Sequence, residues 1–245
     1  MGWLSLVGLQ WLRPGPNRVG SDPTNEVALP SGVPFAGTLT VSDEGLVADG
    51  ELAGGEPVPL VSDRAEEPTL LDLGSLRLCV IERGGRLALR AWDVDAPART
   101  VFRGIDHWPI DPAWRLDARF EATPGRTLPV PDVIGTAEEQ ASPGDIVFEL
   151  DGIVHRLQGL AGGDSGQLWL VFADSTNGRE TYGGGRFVYT GVPDADGRVE
   201  LDFNRAYNPP CVFTPFATCP LPWPANRLPI RVEAGERAYP ASAPN

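Results

Sequence analysis

Asp145-Ile146-Val147-Phe148-Glu149-Leu150-Asp151-Gly152-Ile153-Val154-His155-Arg156-Leu157-Gln158-Gly159-Leu160 reads as two strands joined by a two-residue turn. Asp-Gly accepts the positive φ that both central positions of a type I′ hairpin turn require, and that turn's twist suits the flanking strands. The same grammar recurs at residues 76–82 and 86–92, which flank Arg83-Gly84-Gly85, and at 35–41 and 46–48. Further strands are expected at 4–12 with a bend at Gly8, then at 114–121, 128–135, 167–173, 186–190, 199–204 and 228–233. No stretch shows a capped amphipathic helix of ten or more residues. The pattern predicts an all-β fold of antiparallel, sandwich-like or barrel-like sheets with short hairpins.

Composition agrees with that class. The 245 residues include 29 Gly and 25 Pro, which suits many short strands joined by turns. The Pro-rich stretch 97–113 suggests a soft boundary near residue 95, dividing an N-terminal lobe (1–95) from a C-terminal lobe (96–245). The tail after Gly235 is expected to fray.

A net charge of −13 without a basic stripe argues against nucleic acid and against anionic membrane surfaces. All 20 basic residues are Arg, so a Schiff-base lysine, a lysine general base and a P-loop lysine are excluded. Any anion recognition therefore falls to Arg, whose planar fork suits carboxylate or phosphate. The apolar opening, 2–12, is too short to span a bilayer and lacks a basic start and a cleavage site. The expectation is a cytoplasmic chain, although a processed secreted protein would read the same way. No cofactor is indicated.

Residues 17–30 read strand, polar turn, strand, and resemble the forkhead-associated phosphothreonine-binding sandwich. That family also runs from a Gly through a polar loop to Asn-acidic-apolar-x-Leu, here Gly20 and Asn25-Glu26-Val27-Ala28-Leu29. Its phosphate-binding Arg follows the Gly, where this chain has Ser21. Its later Ser-x-x-His is absent, with Val33-Pro34-Phe35 in the region. The resemblance implies sandwich architecture for the N-terminal part and carries no phosphopeptide binding.

The densest polar chemistry lies at 202–219. Val199, Leu201 and Phe203 alternate with Glu200, Asp202 and Asn204, as in a half-buried strand. Asn208-Pro209-Pro210 then stiffens the loop that carries Arg205 and Tyr207. Upstream, Tyr182-Gly183-Gly184-Gly185-Arg186 permits close backbone approach. If the strands pair in order, Asp174, Tyr182, Arg186, Asp202, Asn204, Arg205, Tyr207 and Asn208 converge on one rim. There Arg186 and Arg205 would clamp a small anionic molecule while Asp174 and Asp202 orient them. The plainer reading is an Arg–Asp network that only locks the loops. A third is a hydrolase using Asp202 or Cys211, with Tyr182 as proton donor.

Other templates fit less well. Gly163-Asp164-Ser165-Gly166 imitates the nucleophile segment of chymotrypsin-like proteases, but neither His107 nor His155 has the sequence setting of the partner base. The two His and three Cys give no metal-ligand spacing. Arg86, Arg90 and Asp93 are read as an exposed ion-paired face. Cys211 and Cys219 are a possible disulfide, worth about 2–3 kcal/mol for so short a loop. In a reducing cytosol both are expected to remain thiols.

Residues 181–187, 202–211 and Cys219-Pro220-Leu221-Pro222 resemble an uncharacterised prokaryotic family, domain of unknown function 1684. The likeness runs from Leu6-Val7-Gly8-Leu9 to Ala234-Gly235-Glu236, with Val212 departing from a usual Ala. It implies one integrated unit and assigns no activity.

Overall fold

Alternating apolar residues separated by tight turns give antiparallel sheets throughout the chain. The computed structural model describes residues 2–239. It divides into two compact units, Met1–Phe102 with Thr214–Ala217, and Arg103–Phe213 with Thr218–Asn245.

In the first unit the strands are β1 (Leu6–Trp11), β2 (Gly15–Gly20), β3 (Val27–Ala28), β4 (Gly37–Ser42), β5 (Gly45–Ala48), β6 (Val58–Leu60), β7 (Leu70–Leu73), β8 (Leu76–Arg83) and β9 (Arg86–Asp93). They form a four-stranded sheet, β1-β9-β8-β7, and a five-stranded sheet, β3-β2-β4-β5-β6. Every pairing is antiparallel except β2 with β3. The β1–β9 register slips between Leu6 and Gly8, with Val7 as the extra residue, and a Cβ at Gly8 would meet Ala91 Cβ at 3.3 Å. Val19, Leu39, Leu78 and Leu89 come from both sheets into one shared core.

The Arg face expected on β9 is corrected. Arg90 is buried, with its guanidinium 5.8 Å from the Trp92 ring, and burial opposes its charge. Asp93 accepts from the Asp95 amide. Arg86, at the start of β9, is exposed as expected, its guanidinium 4.1 Å from the Trp11 ring, but the middle of the strand is covered on both faces.

A short helix, α1 (Pro97–Val101), closes the first unit. The second unit holds β10 (Arg115–Ala122), β11 (Thr127–Pro131), β12 (Ala137–Ala141), β13 (Gly144–Leu150), β14 (Ile153–Ala161), β15 (Leu168–Phe172), β16 (Arg186–Tyr189) and β17 (Arg198–Asp202). Six of them form one antiparallel sheet in the order β16-β15-β14-β13-β10-β17. Asp151 and Gly152 adopt φ of 51° and 75°, and their turn places Leu150 opposite Ile153. Past β16 the chain turns back, and the Gly191 amide donates to the Glu200 carbonyl of β17 at 2.8 Å. The sheet's inner face packs Ile146, Leu157, Leu170, Phe172, Leu201 and Phe203 into a core.

Three local readings change. β12 pairs with β11 although Glu138, Glu139 and Gln140 gave it no apolar alternation. Residues 228–233 are not a strand: their backbone groups bond to loop and side-chain partners, among them Ala173 and Asp174. The tail expected to fray after Gly235 is instead bonded. The amides of Glu236, Arg237 and Ala238 donate to the carbonyls of Ala206, Asp106 and Glu180. Residues 240–245 lie outside the described residues.

Candidate functional site

Arg186 opens β16 with its side chain turned inward, opposite Phe172 in the ladder. It is fully buried, and its guanidinium sits 5.4 Å from the Phe172 ring and 5.6 Å from the Trp108 ring. Nη2 donates to Asp174 Oδ2 and to the Val232 carbonyl, both at 2.8 Å. Nη1 donates to the carbonyls of Ala234 and Glu236. Burial works against the guanidinium's charge, and Asp174 offsets it. Asp174 Oδ1 also accepts from the amides of Thr176 and Val232. One side chain thus ties the β15–β16 connection to the 232–236 segment.

Of the residues expected on one rim, Arg186 and Asp174 meet, but Tyr207 does not join them. Phe187 points opposite to Arg186, and Tyr207 pairs with Phe187, their rings 5.7 Å apart. Tyr207 is therefore on the other face of β16, stacked on half-exposed Tyr189 at 6.4 Å. Burial foremost pushes its hydroxyl pKa up to about 12. Arg205 is exposed and makes no ion pair among the described residues. Because successive residues of a strand face opposite ways, Arg186 and the Tyr207 ring packed on Phe187 do not line one pocket.

The other candidates hold loops. Asp202 ends β17 and caps a 3-10 turn, accepting from the Asn204 amide and Nδ2. Asn204 in turn exchanges hydrogen bonds with the backbone of Asp111. The Asn208 amide donates to Glu236 Oε2, and its Nδ2 to the Arg237 carbonyl. The Tyr182 ring lies against Gly184, where a Cβ would come within 2.5 Å of it. Gly185 has φ of +88°, and a Cβ there would meet the Phe172 carbonyl at 2.6 Å.

Cys211 and Cys219 are joined as a disulfide, with Cα atoms 6.3 Å apart, which corrects the expectation of two thiols. Cys211 therefore offers no thiolate nucleophile. Ser165 donates to the Gly162 carbonyl within its own loop. His155 is buried against Phe148, and His107 Nδ1 bonds the Ile105 carbonyl, so neither activates that serine. Among the described residues no group of His, Cys, Asp or Glu is placed to hold a metal ion. No helix among them is long and apolar enough to cross a membrane.

A different feature emerges on the outer face of the sheet. A cleft of about 910 Å³ lies over β10, β13 and β17, flanked by the 191–194 turn. Arg119 of β10 stands directly opposite Arg198 of β17, and both side chains are exposed. Like charges in that position repel. Neither arginine makes an ion pair among the described residues, while their neighbours are engaged: Arg156 with Glu121 at 2.7 Å, and Arg115 with Glu200. Asp194 Oδ1 is occupied by the amides of Asp196 and Arg198. Sequence reading missed this pair because it exists only through a register linking strands distant in the chain. The one available signal was that 119 and 198 fall on the polar side of their strands.

The family described as "Protein of unknown function (DUF1684)" matches residues 100–237. The chain belongs to the DUF1684 family. The match takes in Thr181–Phe187 and the Asp202 block, and it covers Arg119 and Arg198. An uncharacterised protein of Haloarcula marismortui, solved by solution NMR, is 32% identical, with a TM-score of 0.47. That similarity covers 57% of this chain and 79% of the archaeal one. No curated protein matches.

Proposed function

We propose that this DUF1684 protein binds a small anionic ligand, and that the ligand's charge lies between Arg119 and Arg198. The reading rests on one observation: two exposed arginines face each other across a ladder, inside a cleft, without carboxylate partners among the described residues. The sheet keeps a repulsive pair whose guanidinium forks can share one carboxylate or phosphate. The anion clamp expected around Arg186 and Arg205 has no such support, because Arg186 is fully buried and both its terminal nitrogens are engaged by Asp174 and three carbonyls. The Arg186–Asp174 pair fits the loop-locking reading.

The test is calorimetric titration of the full chain with inorganic phosphate and with citrate at low ionic strength. Arg119→Ala and Arg198→Ala should each weaken binding by about tenfold or more, the scale of a charge-assisted hydrogen bond. Binding that is absent in the wild type, or unchanged in both variants, would contradict the reading.

A further inference from the structure

The cleft carries a second charge row. Two residues along β10 from Arg119 stands Asp117, opposite Glu200 of β17, and two along β13 from Val147 stands Glu149. Asp117 and Glu149 are exposed and make no ion pair among the described residues. At about 3.4 Å per residue, the acidic row lies about 6.8 Å from the arginine row. Val154 and Val192, 66% and 60% exposed, line the same cleft.

A simple anion would meet the arginines and be repelled by the carboxylates next to them. A ligand with one anionic and one cationic end, joined by a short aliphatic stretch, satisfies both rows and gives the valines an apolar neighbour. We infer that the cleft selects small zwitterions whose carboxylate and ammonium groups lie several ångströms apart, as in ω-amino acids. This rests on the anion-binding reading above and narrows its ligand class. Carboxylate oxygens would accept from Arg119 and Arg198, and the ammonium would donate to Asp117 and Glu149. Glu200, engaged by Arg115, would contribute field rather than contact.

Two probes of equal chain length separate the claims: 5-aminovalerate, a zwitterion, and valerate, its anion without the ammonium. Calorimetry on the full chain should show 5-aminovalerate binding about fivefold more tightly than valerate, the upper end for an exposed ion pair. In the Asp117→Asn/Glu149→Gln double variant that preference should vanish through weaker 5-aminovalerate binding, with valerate binding no more weakly than in the wild type. Arg119→Ala should weaken both probes. Equal or tighter valerate binding in the wild type, or a preference that survives the double variant, would overturn the inference while leaving anion binding in place. Failure of valerate, 5-aminovalerate and phosphate alike to bind would overturn both.

Discussion

Arg186 and Asp174 form an ion pair 2.8 Å long in which both side chains are wholly excluded from solvent. Removing one partner strands the other's charge in the core, which costs about 3–5 kcal/mol. Asp174→Ala should therefore lower the unfolding free energy of the second unit by that amount in a urea titration. A loss below about 1 kcal/mol would show that the pair does not hold the 232–236 segment.

Tyr207 gives a pH signature. Its folded-state pKa of about 12 exceeds the ordinary value of 10.0. Between those values the folded protein keeps a proton that the unfolded chain releases, so stability falls as pH rises. The contribution is complete below about pH 10 and lost by about pH 12. Tyr207→Phe should flatten that part of the stability curve, measured by denaturant midpoints across the alkaline range.

Much of this architecture was legible, and the limits have physical causes. Asp151-Gly152 located a hairpin and its register because the turn geometry demands those residues locally. Val199, Leu201 and Phe203 declared their buried face by alternation, and each is at most 5% exposed. The site was not legible in that way. Arg186 looks like a ligand clamp in sequence, yet its role follows from carbonyls of Val232, Ala234 and Glu236, which no local pattern announces. Arg119 and Arg198 look like ordinary surface charges until register sets them opposite each other. The polar strand β12 was missed because neither of its faces is an apolar one.

The Cys211–Cys219 bond predicts a thiol count. Under denaturing conditions without reductant, only Cys79 should react with a thiol reagent, and reduction should expose all three cysteines. Cys211→Ser should cost about 2–3 kcal/mol in the chain-entropy account. Three reactive thiols before reduction would refute the bond.

If the cleft keeps like charges together for binding, relieving them should stabilise the empty protein. Arg198→Thr is expected to raise stability by roughly 0.2–1 kcal/mol at low salt. The gain should shrink as ionic strength rises and screens the pair. Differential scanning calorimetry at two salt concentrations would register it. Destabilisation would mean that Arg198 already has a favourable partner.

The most direct measurement is to follow arginine Nε–H resonances by NMR while inorganic phosphate is added to the full chain. The side-chain signals of Arg119 and Arg198 should move together and saturate, while that of buried Arg186 stays fixed. Saturable shifts at Arg186 or Arg205, with Arg119 and Arg198 unmoved, would contradict anion binding in the cleft.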